Sequence, residues 1–193
     1  MLELSPKILA TKEMFALLKS VIKDEYMPKS FEAFKNSFLP AEDDRVDEPY
    51  KITKVPFSYV SDKQNYNVKA LTLLFFPYSI GWFGDSSKQL LIEDSANTRD
   101  LFCFKYQRLL GEKCKDVEYF NYLLRKNRYV LELFDDEVKE NRPNFFKFKA
   151  RKAYDAEMAK QRDVLARQYD AHMEFVQLKI IDLTRENESK KKK

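Results

Sequence analysis

Glycine is nearly missing from this chain: Gly81, Gly84 and Gly111 are the only three in 193 residues. Dinucleotide folds, phosphate loops and glycine-hinged lids need more, because they rely on positive φ or on close backbone approach to a phosphate. Cysteine is as scarce. Cys103 and Cys114 make no disulfide framework and have no metal-ligand company, which fits a reducing, cytoplasmic compartment. Histidine occurs once, as His172 beside an apolar stripe, with no nucleophile placed for it. Neither GxSxG nor HExxH occurs, and adjacent acids such as Asp135-Asp136 point apart on a helix. We therefore expect no catalytic residue, no metal site and no cofactor, and a protein that is not an enzyme. Long apolar runs are missing too. The longest, Ala70 to Phe83, is interrupted by Thr72, Pro77, Tyr78 and Ser79 and is too short to span a bilayer. Lys7 and Lys12 break any signal-peptide core after Met1 to Leu4. No membrane is expected as a partner.

An excess of one charge is also lacking in the body of the chain. Lys plus Arg number 35 and Asp plus Glu 31, and Lys190 to Lys193 account for the whole net charge of +4. The isoelectric point alone is thus no argument for nucleic acid.

What the chain does have is rings and helix periodicity. Hydrophobic residues make up 44%, with sixteen Phe and eleven Tyr, so the core is built from rings as much as from Leu. Ser5-Pro6 opens a helix that Met14, Phe15, Leu18, Val21 and Ile22 carry to about Met27. Ser30 caps a short one bearing Phe31, Phe34 and Phe38. Glu42 to Glu48 reads as a solvated acidic loop without the alternation of a calcium loop. Tyr50 to Tyr59 and Tyr66 to Phe76 read as a hairpin, Pro77 to Ser87 as a loop, and Gln89 to Ile92 as a third short strand. A helix follows from Asn97 or Thr98 to Gly111. Asp116 caps a stronger one, with Val117, Phe120, Leu124, Leu131, Phe134 and Val138 on one face and Asn127 in a polar slot, ending at Arg142-Pro143.

From Asn144 to about Glu188 neither Gly nor Pro occurs. Tyr154, Met158, Leu165, Tyr169, Met173, Val176, Ile180 and Leu183 form one stripe, and the spacing predicts a helix of about 40 residues, roughly 60 Å long. Tyr154, Leu165 and Val176 are spaced by eleven, as are Met158, Tyr169 and Ile180, which predicts a straight helix rather than a heptad coil. The short connection Asn141 to Asn144 favours an antiparallel hairpin whose second helix outruns the first.

The expected class is α+β, mostly α-helical: helices around a small antiparallel sheet in residues 1–112, then a helical hairpin with a long projecting C-terminal helix in 113–189, and a lysine tail in 190–193. A helix that overhangs its own globule needs a neighbour. The leading expectation is a structural or assembly protein, an oligomer subunit bridging copies of itself or other subunits through that stripe. Trp82 and Phe83 are a second anchor for a protein partner, or else a plug closing the sheet. The composition suits a viral or phage protein, such as a virion connector or ring component, by analogy only.

The runner-up is a nucleic-acid-binding or anti-defence protein. Arg142, Lys147, Lys149, Arg151 and Lys152 interleave with Phe145, Phe146, Phe148 and Tyr154, with no acid between Asn141 and Tyr154. Single-strand binders use cations for phosphates and rings for bases. The plainer expectation puts Phe145 and Phe148 against the core and the cations in water. Arg125, Lys126 and Arg128 form a second basic cluster that joins the first if the hairpin brings them together, and the lysine tail is a third. Both have solvated surface as their plainer reading. An enzyme with an unfamiliar site is the third option.

Overall fold

The computed structural model describes residues 2, 4–22, 27–40, 53–57, 71–76, 80–83 and 98–191. The acidic stretch Glu42 to Glu48, the strand expected at Gln89 to Ile92, and Lys192-Lys193 lie outside them. The chain divides into two compact units, one made of residues 2–93 and 105–113, the other of residue 1 with 94–104 and 114–193.

The first unit opens with α1 (Pro6–Leu9) and α2 (Lys12–Lys19). These were expected to be one helix. Thr11 divides them, because its hydroxyl accepts the Met14 N–H at 3.1 Å and starts a new helix there. Ser30 caps α3 (Phe31–Asn36) through Ala33 N–H at 3.1 Å, as expected from the sequence. Four short strands, β1 (Leu39–Pro40), β2 (Thr53–Phe57), β3 (Leu71–Phe75) and β4 (Ile80–Phe83), pair antiparallel in sequence order. In that register Val55 faces Leu73, and Leu73 faces Trp82. The expected loop at Pro77 to Ser87 therefore contains a strand, because Ile80 to Phe83 completes the ladder along β3. Leu73 and Phe75, two apart on β3, are both buried. A run of ring contacts joins Phe15 to Phe34, Phe34 to Phe38, Phe38 to Phe75 and Phe75 to Tyr106, with centroids 5.0–6.1 Å apart. Tyr106 closes it by donating its hydroxyl to Phe76 O at 2.7 Å.

The helix α4 (Thr98–Gly111) contributes its first half to the second unit and its second half to the first. The second unit otherwise consists of α5 (Val117–Asn127), α6 (Val130–Glu140) and α7 (Phe148–Lys191). Asp116 caps α5, its carboxylate accepting the Glu118 N–H at 3.0 Å. The single helix expected from Asp116 to Arg142 is broken at Arg128-Tyr129, where the Tyr129 ψ of 11° leaves the helical region.

Despite that break, the buried face runs on without interruption. Phe120, Leu123, Asn127, Val130 and Phe134 are all buried and succeed each other by steps of three and four. The long helix answers in kind: Leu165 and His172 are seven apart, Val176 and Leu183 are seven apart, and all four are buried. Cross-contacts fix the direction. Arg142 meets Asp155, Asp135 meets Arg162, the Arg128 carbonyl meets the Tyr169 hydroxyl, and Phe120 meets Phe175. One series descends as the other climbs, so α7 runs antiparallel to α5 and α6. The pairings at Arg142, Asp135 and Arg128 step by seven on both sides, while the buried positions of α7 keep the eleven-residue spacing read from the sequence: Leu165 and Val176, and His172 and Leu183, are each eleven apart.

The expected fold class is corrected as well. The protein is a helix-rich fold with a long C-terminal helix, not an α+β fold of helices gathered around a sheet. The unit holding α5, α6 and α7 has no strand among its described residues, and its core of Phe104, Val130, Phe134 and Leu165 is supplied by helices alone. Two helices in tandem, α5 and α6, lie along α7, with Phe104 of α4 against Tyr169 and His172, and residues 184–191 at the end of α7 are all exposed.

Candidate basic-aromatic interface

The feature of the second unit that packing does not explain is the turn from α6 into α7. Helix α6 ends where Asn141 N–H bonds the Glu137 carbonyl at 3.0 Å and Pro143 forbids continuation. Asn144 was expected to cap the long helix; instead its carbonyl accepts the Lys147 N–H at 2.9 Å in a turn, and the helix begins at Phe148. The cross-helix pairing has its last rung at Arg142 and Asp155. Side chains from Pro143 to Lys149 lie beyond the end of the opposing helix. Phe145 is therefore 75% exposed, Phe146 91% and Phe148 72%. The expectation that Phe145 and Phe148 face the core is overturned by the same geometry.

Arg142 braces this tip. Its Nε donates to Asp155 Oδ1 at 2.8 Å, and its Nη2 bonds Asp155 Oδ2. That hydrogen-bonded guanidinium holds the Asp155 carboxyl below the usual carboxylate range. Tyr154 adds a second tie, donating its hydroxyl to Val138 O at 3.2 Å. On this base, Arg151 lies over the Phe145 ring with its guanidinium carbon 5.8 Å from the centroid, and Phe145 meets Phe146 at 78° and 6.3 Å. Arg142, Phe145, Phe148, Arg151, Lys152 and Asp155 enclose an open cleft of about 230 Å³. The first turn of α7 carries no acid. Among the described residues, Lys147, Lys149, Arg151 and Lys152 join no salt bridge. Cations here oppose the helix dipole, and the acid on the cleft wall, Asp155, is hydrogen-bonded to Arg142 and also feels the charge of Arg151.

The other expected site residues lie elsewhere. Leu165, Val176 and Leu183 of the apolar stripe are buried within the chain, and Tyr154, Met158, Tyr169, Met173 and Ile180 are half-buried. Arg125, Lys126 and Arg128 are exposed near the end of α5. Arg128 falls two heptads from Arg142, about 20 Å along the pair, so the two basic clusters do not merge into one patch. Lys190 and Lys191 sit at the far end of α7, more than about 50 Å from Lys152 along the helix axis. Trp82 and Phe83 belong to β4, paired with Leu73 and Thr72.

Among the described residues no group of three or more His, Cys, Asp or Glu is arranged to hold a metal ion. His172 is buried, stacked on Phe104 at 4.7 Å, with Nε2 3.2 Å from Asn127 Nδ2. It belongs to the packing seam. Burial pushes the Cys114 thiol up, away from thiolate chemistry. No described helix is long and apolar enough to cross a membrane. Compared with known protein families, curated proteins and solved structures, the chain matches none.

Proposed function

We propose that this protein binds single-stranded nucleic acid through the α6–α7 tip and carries out no chemistry on it. The supporting observation is the exposure of Phe145, Phe146 and Phe148 among Lys147, Lys149, Arg151 and Lys152. Rings left in water are costly unless something covers them, and lysines crowded around them fit a polyanion better than a protein surface, since the cores of protein interfaces are depleted of lysine. A single strand satisfies both demands, with bases on rings and phosphates on cations. A duplex keeps its base faces hidden and would meet only the cations.

The test is retention of a short single-stranded oligonucleotide by the full chain. Lys147→Glu with Arg151→Glu abolishes binding while leaving the far-ultraviolet circular dichroism and the melting temperature unchanged, since Lys147 is exposed and Arg151 is half-buried at the tip, outside the helical core. Unchanged affinity in that double variant removes the proposal.

A second reading, a subunit of a larger and possibly viral assembly, keeps one observation in its favour. The same three rings are the kind of aromatic anchor that seats in a partner's pocket, and Leu178 and Ile181 stand exposed three apart on α7. Light scattering separates the two. A stable oligomer that dissociates on Phe146→Ala supports assembly; a monomer at high concentration speaks against self-assembly.

A further inference from the structure

Resting on the nucleic-acid reading, we infer that the cleft beside Phe145 is a subsite for one nucleobase, with the Phe145 ring as its platform and Arg151 as the group that moves aside. The cleft volume of about 230 Å³ lies below the roughly 300–1,000 Å³ of pockets that hold drug-sized ligands. It therefore has room for a single ring system and not for a larger molecule. Two of its walls are phenyl rings, Phe145 and Phe148, and three are cations, Arg142, Arg151 and Lys152, of which Arg142 is paired with Asp155. That is the composition a nucleotide unit presents in reverse, one flat aromatic face joined to one phosphate.

The place of the base is now taken by the side chain of Arg151, over the ring at 5.8 Å. Two stacking intervals of about 3.4 Å each exceed that gap, so a base cannot slip between the two groups as they stand. Arg151 is free to leave. Its stem is long, and its cation–π contact at this exposed position is a weak tie. Once displaced, its guanidinium is within reach of the phosphate attached to the incoming base, so the motion exchanges a weak contact for a charge-assisted one.

Asp155 is the one carboxylate on the cleft wall, and it would repel a phosphate. Arg142 takes up that charge with two hydrogen bonds. Arg142 and Asp155 are thus positioning residues: they hold the turn so that Phe145 and Phe148 flank one opening, and they cancel the repulsion. Stacking reads no hydrogen-bonding edge, so the subsite accepts any base.

The experiment compares two probes of equal length on the full chain, a short deoxythymidine oligomer and an abasic oligomer with the same sugar–phosphate backbone, by fluorescence anisotropy. Wild type binds the deoxythymidine oligomer roughly tenfold tighter or more, the usual worth of one stacked base. Phe145→Ala erases that preference and leaves abasic binding as it was. Lys149→Glu, outside the cleft, weakens both probes alike and keeps the preference. If wild type binds both probes equally, or if Phe145→Ala keeps the preference, the subsite is overturned while the nucleic-acid reading stands. If wild type binds neither probe, the reading fails and the subsite with it.

Discussion

Asn127 and His172 face each other in a seam otherwise made of Phe, Leu and Val, with Asn127 Nδ2 3.2 Å from His172 Nε2. A single polar layer in such a seam is a registry device: shifting the helices by one heptad would bury each group against an apolar side chain. Removing one partner is therefore worse than removing both. We expect Asn127→Leu to cost about 1–3 kcal/mol in denaturant unfolding, by removing a hydrogen-bonding partner from the buried imidazole. Asn127→Leu with His172→Leu recovers most of that loss, and the measurement is the midpoint at unchanged slope. Leu165, fully buried in the adjacent core, gives the apolar comparison: Leu165→Ala should cost about 2–5 kcal/mol.

Two cross-helix ion pairs repeat one heptad apart, Arg142 with Asp155 and Arg162 with Asp135. In each, the partnering arginine holds the carboxyl below its ordinary value. A carboxyl whose folded value is lowered contributes stability that is fully present above the unfolded value, near 4, and is lost as pH falls through the folded value. Stability should thus decline on acidification below about pH 4. Asp135→Asn with Asp155→Asn starts lower at neutral pH and declines less. Chemical unfolding repeated across that window checks it, and equal slopes in both proteins would contradict it.

At this scale the sequence was legible in parts. The start of α5 at Asp116, the cap of α3 at Ser30, the turn at Asn141 to Asn144 and the uninterrupted length of α7 all follow from local chemistry that nothing distant overrides. The eleven-residue spacing of α7 was legible as well: Leu165 and Val176 are buried eleven apart, and His172, which a tally of apolar residues passes over, stands eleven before the buried Leu183. The break at Arg128-Tyr129 has no Gly or Pro to announce it. The exposure of Phe145 and Phe148 was illegible for a different reason. Their three-residue spacing fits a core-facing stripe, and only the end of the opposing helix at Pro143 shows that nothing remains to cover them.

On the scale of the whole molecule, Leu165, Val176 and Leu183 of the α7 stripe are buried within the chain and its other members are half-buried. Among the described residues the three most exposed large apolar side chains, Phe145, Phe146 and Phe148, are those of the tip. Its cations are local: Arg125 to Arg128 and the terminal lysines lie at separate places along the unit, so a single strand of modest length engages the tip alone. Four cations there predict a modest salt dependence, with a slope near −3 in the logarithm of affinity against the logarithm of salt concentration. A much steeper slope would mean that the distant basic clusters take part.

The most direct measurement is the affinity of the full chain for a short single-stranded oligonucleotide, taken across a salt series, in wild type and in the Lys147→Glu, Arg151→Glu variant. Tip binding predicts an affinity that falls with salt at that shallow slope and vanishes in the variant while its melting temperature holds. An affinity that is absent in wild type, or that survives both charge reversals, would contradict it.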